Sequence, residues 1–240
     1  MVTCAQTHLQ LLNQLRDGGY GGDDLVVINR AYASGCELFT GAYRASGKPF
    51  LCHLVGTASV LASLQVPVTV VAAGLLHAAY HLGDFGAGWL GRSDLKREQV
   101  RERVGDAVEV LIDRYTLHPW ESDTPAEMVE RLGAGGEIDR DVAIVRLANE
   151  VDDHLDLGIL YCRDATERLL RLRRIRQSLI ELARRLDQPR LSHALETVFD
   201  QCVSAQVAGD LRTAHDVSFA VPVISRTRWR LRRALAIARR

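Results

Sequence analysis

Apolar residues recur along most of this chain at the three-to-four-residue spacing of an α-helix. Residues 5–16 (AQTHLQLLNQLR) carry that pattern and stop at Asp17, Gly18 and Gly19, a helix-ending cluster. A second helix is expected over 25–44, with Val26, Ile28, Ala31, Leu38 and Phe39 facing a core and Ser46, Gly47 and Pro49 closing it. Helix 51–64 breaks at Gln65, Val66 and Pro67. The next segment, 68–80 (VTVVAAGLLHAAY), is apolar on every side and should be the central buried helix. The glycine-rich stretch 83–91, with Phe85 and Trp89, reads as a loop over the mouth of this hairpin. Further helices are expected over 93–103, 104–116 and 125–132. Another lies within 137–160, where Val142, Val145, Leu147 and Val151 are apolar among many acids. Two amphipathic helices, 163–186 and 189–208, follow.

No segment shows the period of two that marks a strand. The fold class is therefore all-α, with one helical domain over 1–190 and additional C-terminal helices in 191–240, packed on it or mediating association. The tail 224–240 carries seven arginines around Trp229, Leu231, Leu235 and Ile237. Structure or self-association, hence a homo-oligomer, is one reading of it, and contact with a polyanion is the other.

Composition narrows the partners. With 240 residues the chain can bury one substantial core, and its formal net charge of +0 argues against wholesale nucleic-acid binding. Lys48 and Lys96 are the only lysines in a chain otherwise rich in arginine. The five cysteines (Cys4, Cys36, Cys52, Cys162, Cys202) are odd in number and lack a C-x-x-C pair, so neither a disulfide framework nor a zinc knuckle is indicated. No apolar run reaches the roughly twenty residues that cross a bilayer, and the N-terminus lacks a basic-then-apolar signal pattern. A cytoplasmic protein with no membrane span is expected.

The candidate chemistry lies between Tyr43 and Phe85. His53 and His77 stand on consecutive helices, and an antiparallel arrangement brings both imidazoles to one level. The run Arg44-Ala45-Ser46-Gly47, then Phe50-x-x-His53, then Ala73-Gly74-Leu75-Leu76-His77, resembles the start of the HD-superfamily hydrolase domain of RelA/SpoT-type alarmone enzymes. The resemblance covers roughly residues 25–160 and extends to Leu147-Ala148-Asn149, where that family has Leu-Ala-Asp. The variant His53-Leu54-x-Gly56-Thr57 with Gly74-Leu75-Leu76-His77-x-x-Tyr80 is closer still to an uncharacterised bacterial branch of HD-like proteins.

The resemblance implies an HD-domain-like helical bundle in which a metal-activated water attacks phosphorus in a small phosphorylated or nucleotide-type metabolite. His53 and His77 would be metal contacts and Arg44 would pack on a nucleotide base. The sequence departs from the family where Ala78 replaces the signature aspartate, where Tyr80 and His81 fall in place of an acidic pair, and where Asn149 replaces the last ligand. A repaired site would draw on His53, His77, His81 and Asp152 or Asp153, with His53, His77 and Asp153 as the metal ligands and His77, His81 and Asp152 as the catalytic groups. Arg44, Lys48, Tyr80 and Asn149 would contact substrate, with Glu150 a further acid nearby. The cofactor is then a divalent metal (Mn, Fe or Zn) or none. Three readings stay open: an HD-like enzyme with an altered metal site, a metal-free pocket for ligand binding or regulation, and a specialised-metabolism enzyme using histidine acid/base or oxidative chemistry.

Overall fold

The structure, a computed structural model, describes residues 4–86 and 90–221. Trp89 and the arginine-rich tail, 224–240, lie outside the described residues. The expectation of an all-α protein holds, since helices account for nearly all regular structure among the described residues.

Helix α1 (His8–Asp17) opens with a capping box in which Thr7 and Gln10 satisfy each other's backbone N–H groups. Helix α2 (Gly22–Phe39) ends five residues before the expected boundary at 44. Thr40 closes it, Gly41 takes a positive φ of 79°, and Ala42–Tyr43 form a short strand, β1. Ile28, Ala31, Leu38 and Phe39 of α2 are buried as expected, whereas Val26 is 49% exposed. A tight turn then leads into α3. Arg44 N–H donates to the Lys48 carbonyl at 2.8 Å, Gly47 N–H donates to the Arg44 carbonyl at 2.8 Å, and Gly47 has φ 84°. This turn sets Arg44 and Lys48 side by side at the start of α3 (Phe50–Ser63).

Pro67 stands at the N-cap of α4 (Val68–Leu76), the expected buried helix. It stops at His77 and does not run to residue 80. Ala78 has φ −91° and ψ 5°, and a single turn, α5 (Ala79–Leu82), follows at a new angle. Helix α4 is surrounded by α2, α3, and helices α7 (Asp106–Leu117) and α9 (Arg140–His154), and Val71, Ala72 and Leu76 are fully buried. At Gly74 a β-carbon would come within 2.5 Å of Leu61 Cδ1, so the glycine permits close approach of α3 and α4.

Helix α9 ends at His154, short of the expected helical stretch to 160. Asp156 and Leu157 adopt left-handed conformations (φ 56° and 62°) within a 3-10 segment, Leu155–Tyr161. Helices α10 (Ala165–Arg185) and α11 (Pro189–Ser204) pack on each other, α11 also lies on α9, and Leu195 and Phe199 of α11 are fully buried. Beyond α11 the chain returns, and Phe219–Ala220 (β2) pairs antiparallel with β1, aligning Ala42 with Ala220 and Tyr43 with Phe219. Two residues per strand are too few to leave an alternating pattern in the sequence. No helix among the described residues is long and apolar enough to cross a membrane.

The polar helix α6 (Asp94–Val104) is fastened by charge. Glu109 on α7 is fully buried and accepts from Tyr80 Oη at 2.9 Å and from Arg97 at 2.7 and 2.9 Å, while Arg92 pairs with Asp113. Helix α8 (Thr124–Gly133) covers α10. Removing one partner of a buried pair leaves the other uncompensated. Glu109→Ala is therefore expected to lower unfolding free energy by about 3 kcal/mol. Urea denaturation checks this, and an unchanged midpoint would show that the network is not stabilising.

Candidate functional site

The hairpin of α3 and α4 brings His53 and His77 together, and α9 supplies the acids. His53 is fully buried and His77 is 3% exposed. Their Nε2 atoms lie 3.3 Å apart. His53 Nδ1 lies 2.7 Å from Asp152 Oδ2 and 3.6 Å from Asp153 Oδ1. His77 Nδ1 lies 2.8 Å from the Gly74 carbonyl, one helical turn earlier on α4. The turn before α3 closes the cluster: Lys48 Nζ is 2.7 Å from Asp152 Oδ1, and an Arg44 guanidinium nitrogen is 2.5 Å from Asp153 Oδ1. Asn149 Nδ2 donates to Asp153 Oδ2 at 3.1 Å.

These contacts constrain the protons. A carbonyl only accepts, so His77 Nδ1 donates to Gly74, and the Asp152 carboxylate beside the Lys48 ammonium likewise accepts from His53 Nδ1. In two neutral rings both Nε2 atoms would then be bare acceptors facing each other. A hydrogen bond between them requires one proton beyond the two neutral rings. Burial and the neighbouring His53 push the His77 imidazole down to about 3, against an ordinary 6.5, so His77 is held neutral. Burial raises the Asp153 carboxyl, but Arg44 and His53 outweigh it and hold it well below the usual carboxylate range.

The donor set does not fit a divalent metal. His53, Asp152 and Asp153 present donor atoms within 4.8 Å of one another, but both carboxylates already carry a side-chain cation. They face His53 Nδ1, whereas His77 faces the opposite nitrogen. A spacing of 3.3 Å between imidazole nitrogens would suit two ligands of a tetrahedral ion, so distance alone does not decide. His77, however, belongs to no group of three or more histidine, cysteine or carboxylate donors among the described residues, and Ala78 beside it has no donor side chain. The metal set His53, His77 and Asp153 is thus split across two faces of one ring.

Two expected site residues lie elsewhere. Tyr80 Oη bonds to Glu109, and its hydroxyl serves the network holding α6. His81 is exposed on α5, and no hydrogen bond or ring contact joins it to the histidine pair among the described residues. The break at residues 77–78 accounts for both, because it turns α5 away from the line of α4. Tyr115 is the aromatic neighbour that the sequence did not single out: its ring lies 5.2 Å from His77, with the Arg146 guanidinium 3.6 Å from its face.

A cleft of about 290 Å³ opens beside the cluster. Arg44, Arg168 and Arg171 line it among the acids Glu150, Asp153 and Asp216 and the apolar Ile159, Leu172, Ile175 and Val217, with Arg168, Arg171, Leu172 and Ile175 all coming from one face of α10. Arg168 is tied to Asp164 and to the Asp216 carbonyl, both at 2.6 Å. Arg171 is exposed and forms no ion pair among the described residues. Asp153 belongs to both places, lining the cleft and reaching toward His53.

Residues 36–119, less than half of the chain, match a domain of unknown function, DUF6817. A GTP pyrophosphokinase of Streptomyces coelicolor is 27% identical over 127 residues, which cover 52% of this chain and 14% of that protein. A solved structure described as a metazoan ortholog of SpoT that hydrolyses ppGpp aligns with a TM-score of 0.48 at 15% identity, covering 75% of this chain and 96% of that one. The similarity to a GTP pyrophosphokinase runs in the same direction as the HD-type resemblance of the Arg44–Gly47 turn and the two histidines.

Gly56, part of the His53-Leu54-x-Gly56-Thr57 motif, is a site residue given no role in the sequence reading. A β-carbon there would lie 1.8 Å from Asp152 Oδ1, so only glycine lets the carboxylate rest against α3. A lone glycine within an apolar helix is the available signal of such an approach. Gly56→Ala is expected to expel Asp152 and lower stability by about 2–3 kcal/mol, measurable by urea denaturation. A second expectation concerns pH. Above 6.5 His77 is neutral in both folded and unfolded chains. Between 6.5 and about 3 only the unfolded chain takes the proton, so stability falls as pH drops, by about 1.4 kcal/mol per unit. His77→Asn should flatten the fall between pH 6.5 and pH 4.5; an unaltered slope would assign it to other groups.

Proposed function

We propose that the protein binds a small phosphorylated, nucleotide-type metabolite in the cleft beside Arg44 and does so without a metal. The observation that carries this reading is the cleft itself, where three arginines stand among apolar side chains. Guanidinium groups match phosphate oxygens and stack on planar bases, while Ile159, Leu172, Ile175 and Val217 offer the apolar surface a base or sugar can cover. A volume of about 290 Å³ is at the small end of ligand pockets, enough for part of a nucleotide, with the remainder against the rim where Arg171 is exposed. The 27% identity to a GTP pyrophosphokinase supports a purine nucleotide as the first class to test.

Binding is favoured over hydrolysis by the placement of the histidines. Neither imidazole of the buried pair lines the cleft, which reaches His53 through Asp153. The histidine that does line it, His154, is held by a hydrogen bond from Nδ1 to the Glu150 carbonyl and by its ring contact with Phe199. A group that does not touch the ligand cannot deliver a proton to it.

GTP and ppGpp, each added with chelator present, are expected to raise the melting temperature by the mass-action shift of a ligand that binds only the folded chain. Arg171→Ala should retain the fold and weaken binding roughly 10–100-fold, the loss of one charge-assisted hydrogen bond. No shift with either nucleotide at millimolar concentration would overturn the reading. Turnover of either one on adding Mn²⁺ would replace binding with hydrolysis.

A further inference from the structure

We infer that Lys48 is a built-in counter-cation of the buried His53 and Asp152 pair, standing where an ion-dependent site would place a divalent metal. Asp152 is fully buried, and each of its oxygens has one partner: Oδ1 meets Lys48 Nζ at 2.7 Å, and Oδ2 meets His53 Nδ1 at 2.7 Å. Gly56 makes the space in which the carboxylate adopts this position. The neighbouring Asp153 is matched in the same way by Arg44. Two carboxylates thus meet two side-chain cations, and the cluster is balanced without an ion.

Adding a divalent ion would place two further positive charges among groups already neutralised, or force a cation out of its pair. Either cost is large in a buried setting. A lysine suits the role because its ammonium is a compact point charge that a single carboxylate oxygen can hold, whereas a metal ion asks for four or more donors. The turn from Arg44 to Pro49 fixes the position. Its two backbone hydrogen bonds tie residues 44, 47 and 48 together, and Lys48 leaves it with only 19% of its side chain exposed. In a chain that otherwise uses arginine for nearly all its positive charge, one of its two lysines stands here.

The inference is separate from nucleotide binding, because metal content tests one and ligand affinity the other. The full chain is expressed in medium supplemented with manganese, iron and zinc, purified without chelator, and its metal measured by mass spectrometry alongside melting with and without EDTA. Wild type is expected to carry no stoichiometric metal and to melt at the same temperature with EDTA. Lys48→Met keeps the length of the stem and removes the charge, and should melt about 5–15 °C lower. Lys48→Arg should recover most of that loss. One bound metal per wild-type chain with a midpoint lowered by EDTA would overturn the inference, as would an unchanged midpoint in Lys48→Met. Should Lys48→Met fail to fold, Lys48→Arg decides: a folded, metal-free variant supports the counter-cation, and a variant that also fails to fold overturns it.

Discussion

The carboxylate of Asp152 is the group around which the centre of this protein is arranged. A buried anion without compensation is expensive, and here the accommodation comes from one short stretch, residues 48–56. The turn before α3 contributes Lys48, the first turn of α3 contributes His53, and the next turn contributes the absent side chain of Gly56. Because α9 can pack against α3 only with this carboxylate placed between them, the electrostatic pairing and the helix packing are one condition. The same condition fixes the ring of His53 and aims its second nitrogen at His77.

Much of the fold was legible from periodicity, because burying one face of a helix leaves a pattern within a single segment. The apolar run 68–80 marked the central helix correctly, and Pro67 and Pro189 marked helix starts. Its break at His77 and Ala78 was not legible, since alanine and histidine both tolerate helical geometry and the turn is imposed by packing on either side. The early end of α2 was hidden for a similar reason: Gly41 offered a stop, but the partner that draws residues 42–43 into a strand lies at 219–220. Local propensity carries no information about a partner so distant.

At the site, the sequence identified most of the participants and not their pairing. His53, His77, Asp152, Asp153, Arg44, Lys48 and Asn149, named from the family resemblance or from their spacing beside it, lie within one cluster. Helical spacing gave their approximate levels. It could not say which nitrogen of His53 faces which neighbour, and that detail separates a ligand set from a hydrogen-bonded chain. Nor could it separate Tyr80 from the cluster, because its partner Glu109 is one of three acids in the segment 104–116 and nothing local marks it as the buried one of a pair.

The pairing also constrains what the cluster can do. From the Lys48 ammonium, through Asp152 and His53 to His77 and the Gly74 carbonyl, every polar atom named has a partner within the chain, and none is directed at the cleft. Such closure stabilises a scaffold and holds a pocket wall in place; a reactive centre instead needs at least one group left to complete by substrate. Asp153 is the exception, since it touches the buried pair on one side and lines the cleft on the other, bound there to Arg44. An anion drawn to Arg44 must compete with Asp153 for the same guanidinium, and any loosening of that pair alters the charge beside His53. In the proposed binding mode, ligand occupancy and the state of the buried cluster would be coupled through one arginine and one aspartate.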